Sequence, residues 1–213
     1  MKVLVTAGPT YEAIDPVRFI GNHSSGKMGI AIAEELTKRG AEVILVLGPS
    51  SQQVGNRIYQ LVHVRSAEEM YEASVQHFPD CQLAIMSAAV ADYTPVNIAS
   101  EKIKKQEGTM QINLKRTKDI LATLGTMKKQ GQWLVGFALE TTNEKEYALG
   151  KLNSKNADMI VLNSLNDVGA GFGVDTNKVS IFSKNMEEIT FTVKSKKEVA
   201  VDIANTIKQL MHV

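Results

Sequence analysis

Residues 1–10, MKVLVTAGPT, and 21–47, GNHSSGKMGIAIAEELTKRGAEVILVL, decide the fold. The first holds a short β-branched run, Val3–Thr6; the second holds a segment of helical period, Lys27–Arg39, and a further apolar run, Val43–Leu47. A strand, a helix and a strand in that order need a crossover, which a parallel sheet supplies. The alternation continues with strands at Ile58–Val64, Leu83–Ser87, Leu134–Phe137 and Met159–Leu162. Helices fit at Ser66–Phe78, Thr117–Lys129 and Asn143–Asn156, and a last one runs to about His212. Ser66 with Glu69, and Ser195 with Glu198, read as capping boxes at two helix starts. Near the end, Lys178–Phe182 and Ile189–Val193, linked through Asn185, have the composition of an antiparallel hairpin. The stretch Tyr93–Arg116 fits neither period: it is lysine-rich, alternates weakly at Met110, Ile112 and Leu114, and is long for a connection, so it reads as a flap. The expected fold class is α/β, a doubly wound, mostly parallel, Rossmann-like sheet with a C-terminal antiparallel hairpin and a protruding lysine-rich flap. With no internal repeat or low-complexity linker, one domain over residues 1–213 is expected.

A chain of 213 residues and 23.3 kDa buries a core without disulfide or metal support. Lys+Arg 24 against Asp+Glu 23 leaves a net charge of +1, which argues against gripping nucleic acid through counterion release. The charge is uneven, however: residues 101–155 hold 11 basic and 6 acidic side chains, so the middle of the chain is where an anion belongs. The single cysteine, Cys81, precedes an apolar run and reads as a buried thiol in a reducing compartment. The first apolar run is too short for a signal peptide, and no run reaches membrane-spanning length. A cytoplasmic protein with neither a membrane nor a nucleic-acid partner is expected.

A doubly wound sheet takes its ligand outside the carboxyl ends of its strands, where the strand order reverses. That directs attention to the loops after Ala7, Ser87, Ala138 and Leu162. Gly21–Gly29 places glycines and Ser24, Ser25 and Gly26 ahead of a helix start, where free N–H groups and the helix dipole favour an anion. The segment matches a P-loop except at Met28, which has no hydroxyl for Mg²⁺. The dinucleotide fingerprint is absent, since the first turn reads Ala7-Gly8-Pro9-Thr10. Tyr147 and Lys151 have the Tyr-x-x-x-Lys spacing of short-chain dehydrogenases, a pairing that chance often produces. Ser87-Ala88-Ala89-Val90-Ala91-Asp92 supplies small residues that let a ligand approach the backbone, then one carboxylate suited to a metal, a hydroxyl or a turn. Glu101–Lys105 is a solvated face or a phosphate contact. Lys151 and Lys155 share one helix face. No Cys or His cluster has zinc-ligand spacing, and no serine, histidine and carboxylate set suggests a hydrolase.

These segments resemble the phosphopantothenate–cysteine ligase family, also called phosphopantothenoylcysteine synthetase, the ligase domain of the bacterial bifunctional coenzyme A biosynthesis protein. The likeness is carried by Thr6–Thr10, Asp15-Pro16-Val17-Arg18, Asn22–Gly29, Ala88–Tyr93, Lys102–Lys105, Val135–Ala138 and Glu140-Thr141, in that order and spacing. It implies ligation of 4′-phosphopantothenate to L-cysteine with a nucleoside triphosphate, CTP favoured, through an acyl nucleotidylate. Mg²⁺ would accompany the triphosphate, with Asp92 its protein ligand, and no flavin is expected in this chain.

By the same resemblance Asn22 and Lys102 are catalytic, and Arg18, Asn22, Ala88 and Ala89 surround the acyl substrate. Ser24, Ser25, Gly26, Ser87, Ala88, Asp92, Lys102, Lys118, Asp119, Ile120, Leu121, Phe137, Lys151 and Lys155 correspond to the nucleotide site. Lys118 departs from bacterial relatives, which commonly carry proline there. A homodimer with the flap across its two-fold interface is implied, as is association or fusion with a flavin-dependent decarboxylase, a domain the sequence lacks. Two functions from other classes are a short-chain NAD(P)-dependent oxidoreductase and a non-catalytic nucleotide-binding subunit.

Overall fold

The computed structural model describes residues 1–55, 57–105, 107–140, 142–164, 174–184 and 186–212. In chain order the elements begin with β1 (Lys2–Ala7), β2 (Tyr11–Ala13), β3 (Phe19–Gly21), α1 (Lys27–Lys38), β4 (Glu42–Leu47), β5 (Gln60–His63) and α2 (Ala67–His77). Then come β6 (Leu83–Met86), β7 (Tyr93–Pro95), β8 (Leu114–Arg116), α3 (Ile120–Met127), β9 (Trp133–Glu140), α4 (Glu144–Ser154) and β10 (Met159–Ser164). The chain closes with β11 (Thr176–Asn177), β12 (Val179–Ser183), β13 (Met186–Thr190), β14 (Lys194–Ser195) and α5 (Lys196–Met211). No described helix is long and apolar enough to cross a membrane.

Eight strands form one sheet in the order β13-β12-β10-β9-β6-β1-β4-β5. The six from β5 to β10 are mutually parallel, while β12 and β13 extend the sheet antiparallel, as expected of the C-terminal hairpin. The chain first moves from β1 outward to β5, then crosses back over β1 to β6 and continues to β10. Right-handed crossovers in opposite directions place their helices on opposite faces. Accordingly α1 and α5 cover one face, and α2, α3 and α4 cover the other. β1 is buried on both sides: Val3, Val5 and Ala7 enter the α1/α5 layer, and Leu4 enters the other. That is why its sequence is a continuous apolar run, each fully buried Val or Leu stabilising the fold by about 1.5–3 kcal/mol. The order reverses between β1 and β6, which fixes where a ligand cleft can form.

Four local expectations need correction. The second strand of the hairpin is Met186–Thr190 and not Ile189–Val193, because Ile181 pairs with Ile189 and Ser180 with Thr190, after which the chain leaves to pair β14 with β11; its link residue Asn185 lies outside the described residues, as does Thr141. α3 starts at Ile120, not Thr117, because the Thr117 N–H and hydroxyl are bonded to the carbonyls of Asp92 and Ala91 at 3.0 and 2.7 Å. Ser66 makes only half a capping box: its Oγ accepts the Glu69 N–H at 3.2 Å, but Glu69 Oε2 accepts from Arg65 N, 2.6 Å away. The Ser195–Glu198 box is complete. Within the flap only Tyr93–Pro95 and Leu114–Arg116 pair as strands, and Met110 and Ile112 remain outside the ladder, exposed.

α1 approaches the sheet closely because Gly29 lacks a side chain: a Cβ there would clash with Ser87 Oγ and with Ala7 Cβ. Gly29→Ala should therefore cost about 1–3 kcal/mol by overpacking. Gly150→Ala, on the exposed face of α4 with nothing within 4 Å of the new methyl, should stabilise by roughly 0.8–1 kcal/mol. Urea midpoints at unchanged slope check both, and coincident midpoints for the two variants would contradict the packing described.

Candidate active site

Past their last paired residues, β1 and β6 stay bonded to each other. Ser87 Oγ donates to the Thr6 carbonyl at 2.6 Å, and the Ala88 N–H donates to Thr6 Oγ1 at 3.3 Å. The Ala89 N–H reaches the Gly8 carbonyl at 2.9 Å, and the Ala91 N–H reaches Thr10 Oγ1 at 3.0 Å. Thr6 and Thr10 are buried, so their hydroxyls are committed here. The loop of small residues after β6 is thereby held flat against the first loop, leaving Ser87–Val90 half-buried at the switch point.

The β2–β3 hairpin stands over this loop, fixed by stacking of Tyr11 on Phe19 with ring centroids 3.8 Å apart. It carries site residues at both ends of β3. At its far end Asn22 Nδ2 donates to the carbonyls of Ala89 and Val90, at 2.9 and 3.1 Å. Both amide hydrogens are spent, so Oδ1 is what Asn22 offers a ligand without rearrangement. Before β3, Arg18 pairs with Asp15, its Nε donating to Oδ2 at 2.9 Å and its Nη2 bonded to the same oxygen, while Nη2 also donates to the Ile103 carbonyl at 2.9 Å. The flap beside Lys102 is thus tied to the hairpin. The Arg18 guanidinium, helped by the N–H groups of Val17, Arg18 and Ile103, holds the buried Asp15 carboxyl well below the usual carboxylate range against the opposing effect of desolvation.

α1 starts beside Ser87. Its N-cap is Gly26, at φ 80°, where a Cβ would press on Gly8; no side chain caps the helix and no acidic residue lies in its first turn. Ser24 Oγ accepts the Gly26 N–H at 3.3 Å, and Ser50 Oγ donates to the Ser25 carbonyl at 2.8 Å. Unneutralised first-turn N–H groups and the dipole make this end attractive to anions. Lys27, the first helical residue, pairs with Asp175 at 2.5 Å.

A second group gathers between α3 and α4, where Asp119, Glu146, Tyr147, Gly150, Lys151, Ser154 and Lys155 line an open groove of about 560 Å³. Asp119 Oδ1 caps α3 by accepting the Ala122 N–H, and Oδ2 pairs with Lys155, each at 2.8 Å. Desolvation pushes the Asp119 carboxyl up; the Lys155 hydrogen bond, the Ala122 N–H and the charges of Lys155 and Lys151 outweigh it and hold it down. Lys151 Nζ donates to the Phe137 carbonyl at 2.8 Å. The residues expected at the nucleotide site from α3, β9 and α4 are therefore together, with three differences in role. Lys118 turns to α2, bonding Glu68 and lying 4.5 Å from the Tyr71 ring centre. Ile120 and Leu121 are core residues, so only their backbone can face a ligand.

The chain matches the family described as DNA/pantothenate metabolism flavoprotein C-terminal domain over residues 1–211. It belongs to that family. It is 47% identical over 208 residues to the coenzyme A biosynthesis bifunctional protein CoaBC of Bacillus subtilis, covering 98% of this chain and 51% of that protein. It is 54% identical over 211 residues to a cysteine/cysteine sulfinic acid decarboxylase from an unknown prokaryotic organism, covering 99% of this chain and 59% of that one. The chain thus spans about half the length of such relatives. Among solved structures, a crystal structure of the CoaBC C-terminal domain superposes with a TM-score of 0.84 at 45% identity, covering 99% of this chain and 95% of that one.

Within this family member, Asp92 is exposed, and among the described residues no three His, Cys, Asp or Glu side chains converge. One carboxylate suits a Mg²⁺ that keeps waters and phosphate oxygens as its other ligands, so the residues present fit an ion carried in by a triphosphate. Thr6, Thr10 and Asp15 stood in the motifs that carry the resemblance and Thr117 at an expected helix start, but the sequence assigned none of them a role. Asp15-Pro16 has the signature of a turn in which the aspartate accepts N–H groups two and three residues on, as it does at 2.8 Å from both Val17 and Arg18. The threonines have no comparable signal.

Asp15 and Asp119 both titrate below the ordinary value of about 4 in the fold. The stability they contribute is complete above that value and is lost as pH falls through their lower folded values. Urea unfolding should show no contribution from either group to pH dependence between about pH 8 and 5, and falling stability below about pH 4. Asp15→Asn should flatten part of that acid limb; a variant as steep as the parent would contradict the assignment.

Proposed function

We propose that the protein ligates 4′-phosphopantothenate to L-cysteine at the expense of a nucleoside triphosphate, CTP favoured, in coenzyme A synthesis. The observation that carries this is the bridge made by one hairpin: Asn22 bonded to the Ala89–Val90 loop at the switch point, and Arg18, four residues before it, bonded to the flap next to Lys102. Asn22, expected to act on the acyl nucleotidylate, is thus carried by the same hairpin to which the flap neighbour of Lys102, expected to form it, is tied. The substrate carboxylate attacks the α-phosphorus, pyrophosphate leaves, and the cysteine amine then displaces the nucleotide from the acyl carbon. Lys102 offsets charge on the transferring phosphoryl group, while the uncapped start of α1 and the Lys151–Lys155 face of α4 supply donors for the triphosphate. Asp92 would help hold a Mg²⁺ accompanying the triphosphate, which when bound would supply Lewis-acid charge. Asn22 orients the acyl nucleotidylate for the amine. A flavin-dependent decarboxylase, on the same polypeptide or another, would take the product onward.

The same protein is proposed to act as a homodimer. Val96, Ile98, Met110, Ile112 and Leu114 of the flap and Val17 and Phe19 of the hairpin are exposed apolar side chains on neighbouring segments, a surface suited to a second copy. Removal of residues 106–112 should weaken association and activity together, as followed by sedimentation and turnover. A monomer fully active at nanomolar concentration would overturn the dimer.

Pyrophosphate release from phosphopantothenate, cysteine and Mg²⁺ with CTP or ATP tests the reaction. Tight NADPH binding, or CTP binding without pyrophosphate, would instead favour an oxidoreductase or a non-catalytic subunit. Asn22→Asp sets a carboxylate against two carbonyl oxygens; it should support nucleotidyl transfer but stall amide formation, so that the acyl nucleotidylate accumulates in mass spectra. Lys102→Gln should slow the first step by an amount equivalent to about 2.7–4 kcal/mol with the fold unchanged. Equal losses at Lys102, Lys104 and Lys105 would indicate a diffuse field and no specific lysine.

A further inference from the structure

Among the described residues, the main chain of 101–105 is held at one place, Ile103, and both of its peptide groups are taken. Its N–H donates to Asp15 Oδ2 at 3.1 Å, and its carbonyl accepts from Arg18 Nη2 at 2.9 Å. Four residues earlier, the Ala99 N–H bonds the Ile14 carbonyl at 3.0 Å, so the flap base is docked alongside Ile14–Asp15. Asp15 is the centre of this arrangement: only 2% exposed, it accepts from Val17 N, Arg18 N, Arg18 Nε and Ile103 N, and it orients the guanidinium that holds the Ile103 carbonyl. Lys102, which is exposed, directly precedes the pinned residue. A lysine on an untethered flap would sample many positions; one whose neighbour is fixed at both N–H and carbonyl has its Cα fixed as well.

We propose that Asp15 is a positioning residue for Lys102, setting through Arg18 and Ile103 the point from which the lysine reaches the transferring phosphoryl group. This rests on the ligase reading of the site. Misplacement of a reacting group by about 1 Å commonly costs on the order of 100-fold in rate, so the effect belongs to the first chemical step. Asp15→Asn is a discriminating change: one oxygen remains for the Val17 and Arg18 N–H groups, but an NH₂ then faces Arg18 Nε, Arg18 Nη2 and the Ile103 N–H, three donors.

The test follows the two steps separately, using labelled CTP and phosphopantothenate without cysteine, then cysteine added to preformed acyl nucleotidylate. Asp15→Asn should slow formation of the nucleotidylate about 100-fold, leave the CTP concentration for half-maximal rate within about threefold, and leave the second step at the parent rate. In the Lys102→Gln background it should add less than about twofold, because a misplaced lysine and an absent one fail alike. Ile103→Pro, which deletes the flap N–H and leaves Asp15 intact, should reproduce the selective loss and serves if Asp15→Asn fails to fold. Equal slowing of both steps, or effects that multiply with Lys102→Gln, would overturn the positioning role. A parent protein that forms no acyl nucleotidylate refutes the ligase reading itself; a competent parent matched by Asp15→Asn refutes only this inference.

Discussion

Thr6, Gly8 and Thr10 on one side, and Ser87, Ala88, Ala89 and Ala91 on the other, continue the contact of β1 with β6 beyond the ends of both strands. In most of a parallel sheet the backbone supplies every ladder bond; here two threonine hydroxyls replace carbonyls that the turning chain can no longer present. The replacement holds two loops flat that would otherwise splay at the point where strand order reverses. Small side chains are required on both sides, because α1 is pressed onto this seam through Gly29 and Gly26. Each feature of the cleft hangs from the seam. Asn22 bonds its carbonyls, α1 starts beside Ser87, and Thr117 takes its last two carbonyls and so delivers Asp119 to the head of α3.

The first and fourth strands and the helix between Lys27 and Lys38 were legible because burial on both faces of a parallel sheet forces apolar runs, and apolar runs are what a sequence displays. Right-handed crossovers then settle which face each helix covers once the strand order is known. Boundaries were less legible wherever a side chain competed with the main chain. Thr117 and Lys118 have helical neighbours, yet Thr117 is withdrawn by two bonds to loop residues 25 and 26 positions earlier in the sequence. Glu69 reaches past its cap to Arg65 because the chain enters α2 from a bond between Tyr11 N and the Arg65 carbonyl, which leaves that N–H the nearer one.

Of the site, the glycine-rich start of α1, the small-residue loop and the lysines of α4 were visible; the structure sets the first two at the β1/β6 reversal and the lysines in a second group between α3 and α4. Asp15 was not. Its residue type says only that it begins a turn; its importance comes from a partner 88 positions later, a long-range pairing that no local pattern encodes.

Lys27, Lys155 and Arg18 are each paired with a carboxylate, and burial decides which of those pairs can be exchanged. Asp175, the partner of Lys27, has 85% of its side chain exposed, and Asp119, the partner of Lys155, has 51%. Exposed pairs of this kind contribute about 0–1 kcal/mol, so a polyanionic ligand with several oxygens can displace the carboxylates with little loss. Asp15 is different: its side chain is fully buried and satisfied by backbone N–H groups as well as by Arg18, and stripping the guanidinium away would leave an uncompensated buried charge. On the proposed ligase reading a triphosphate would draw on Lys27 and Lys155, while Arg18 would reach a ligand only with those N–H groups its bonds to Asp15 and Ile103 leave unused. The exposure of the opposing carboxylate thus separates exchangeable pairs from a fixed one.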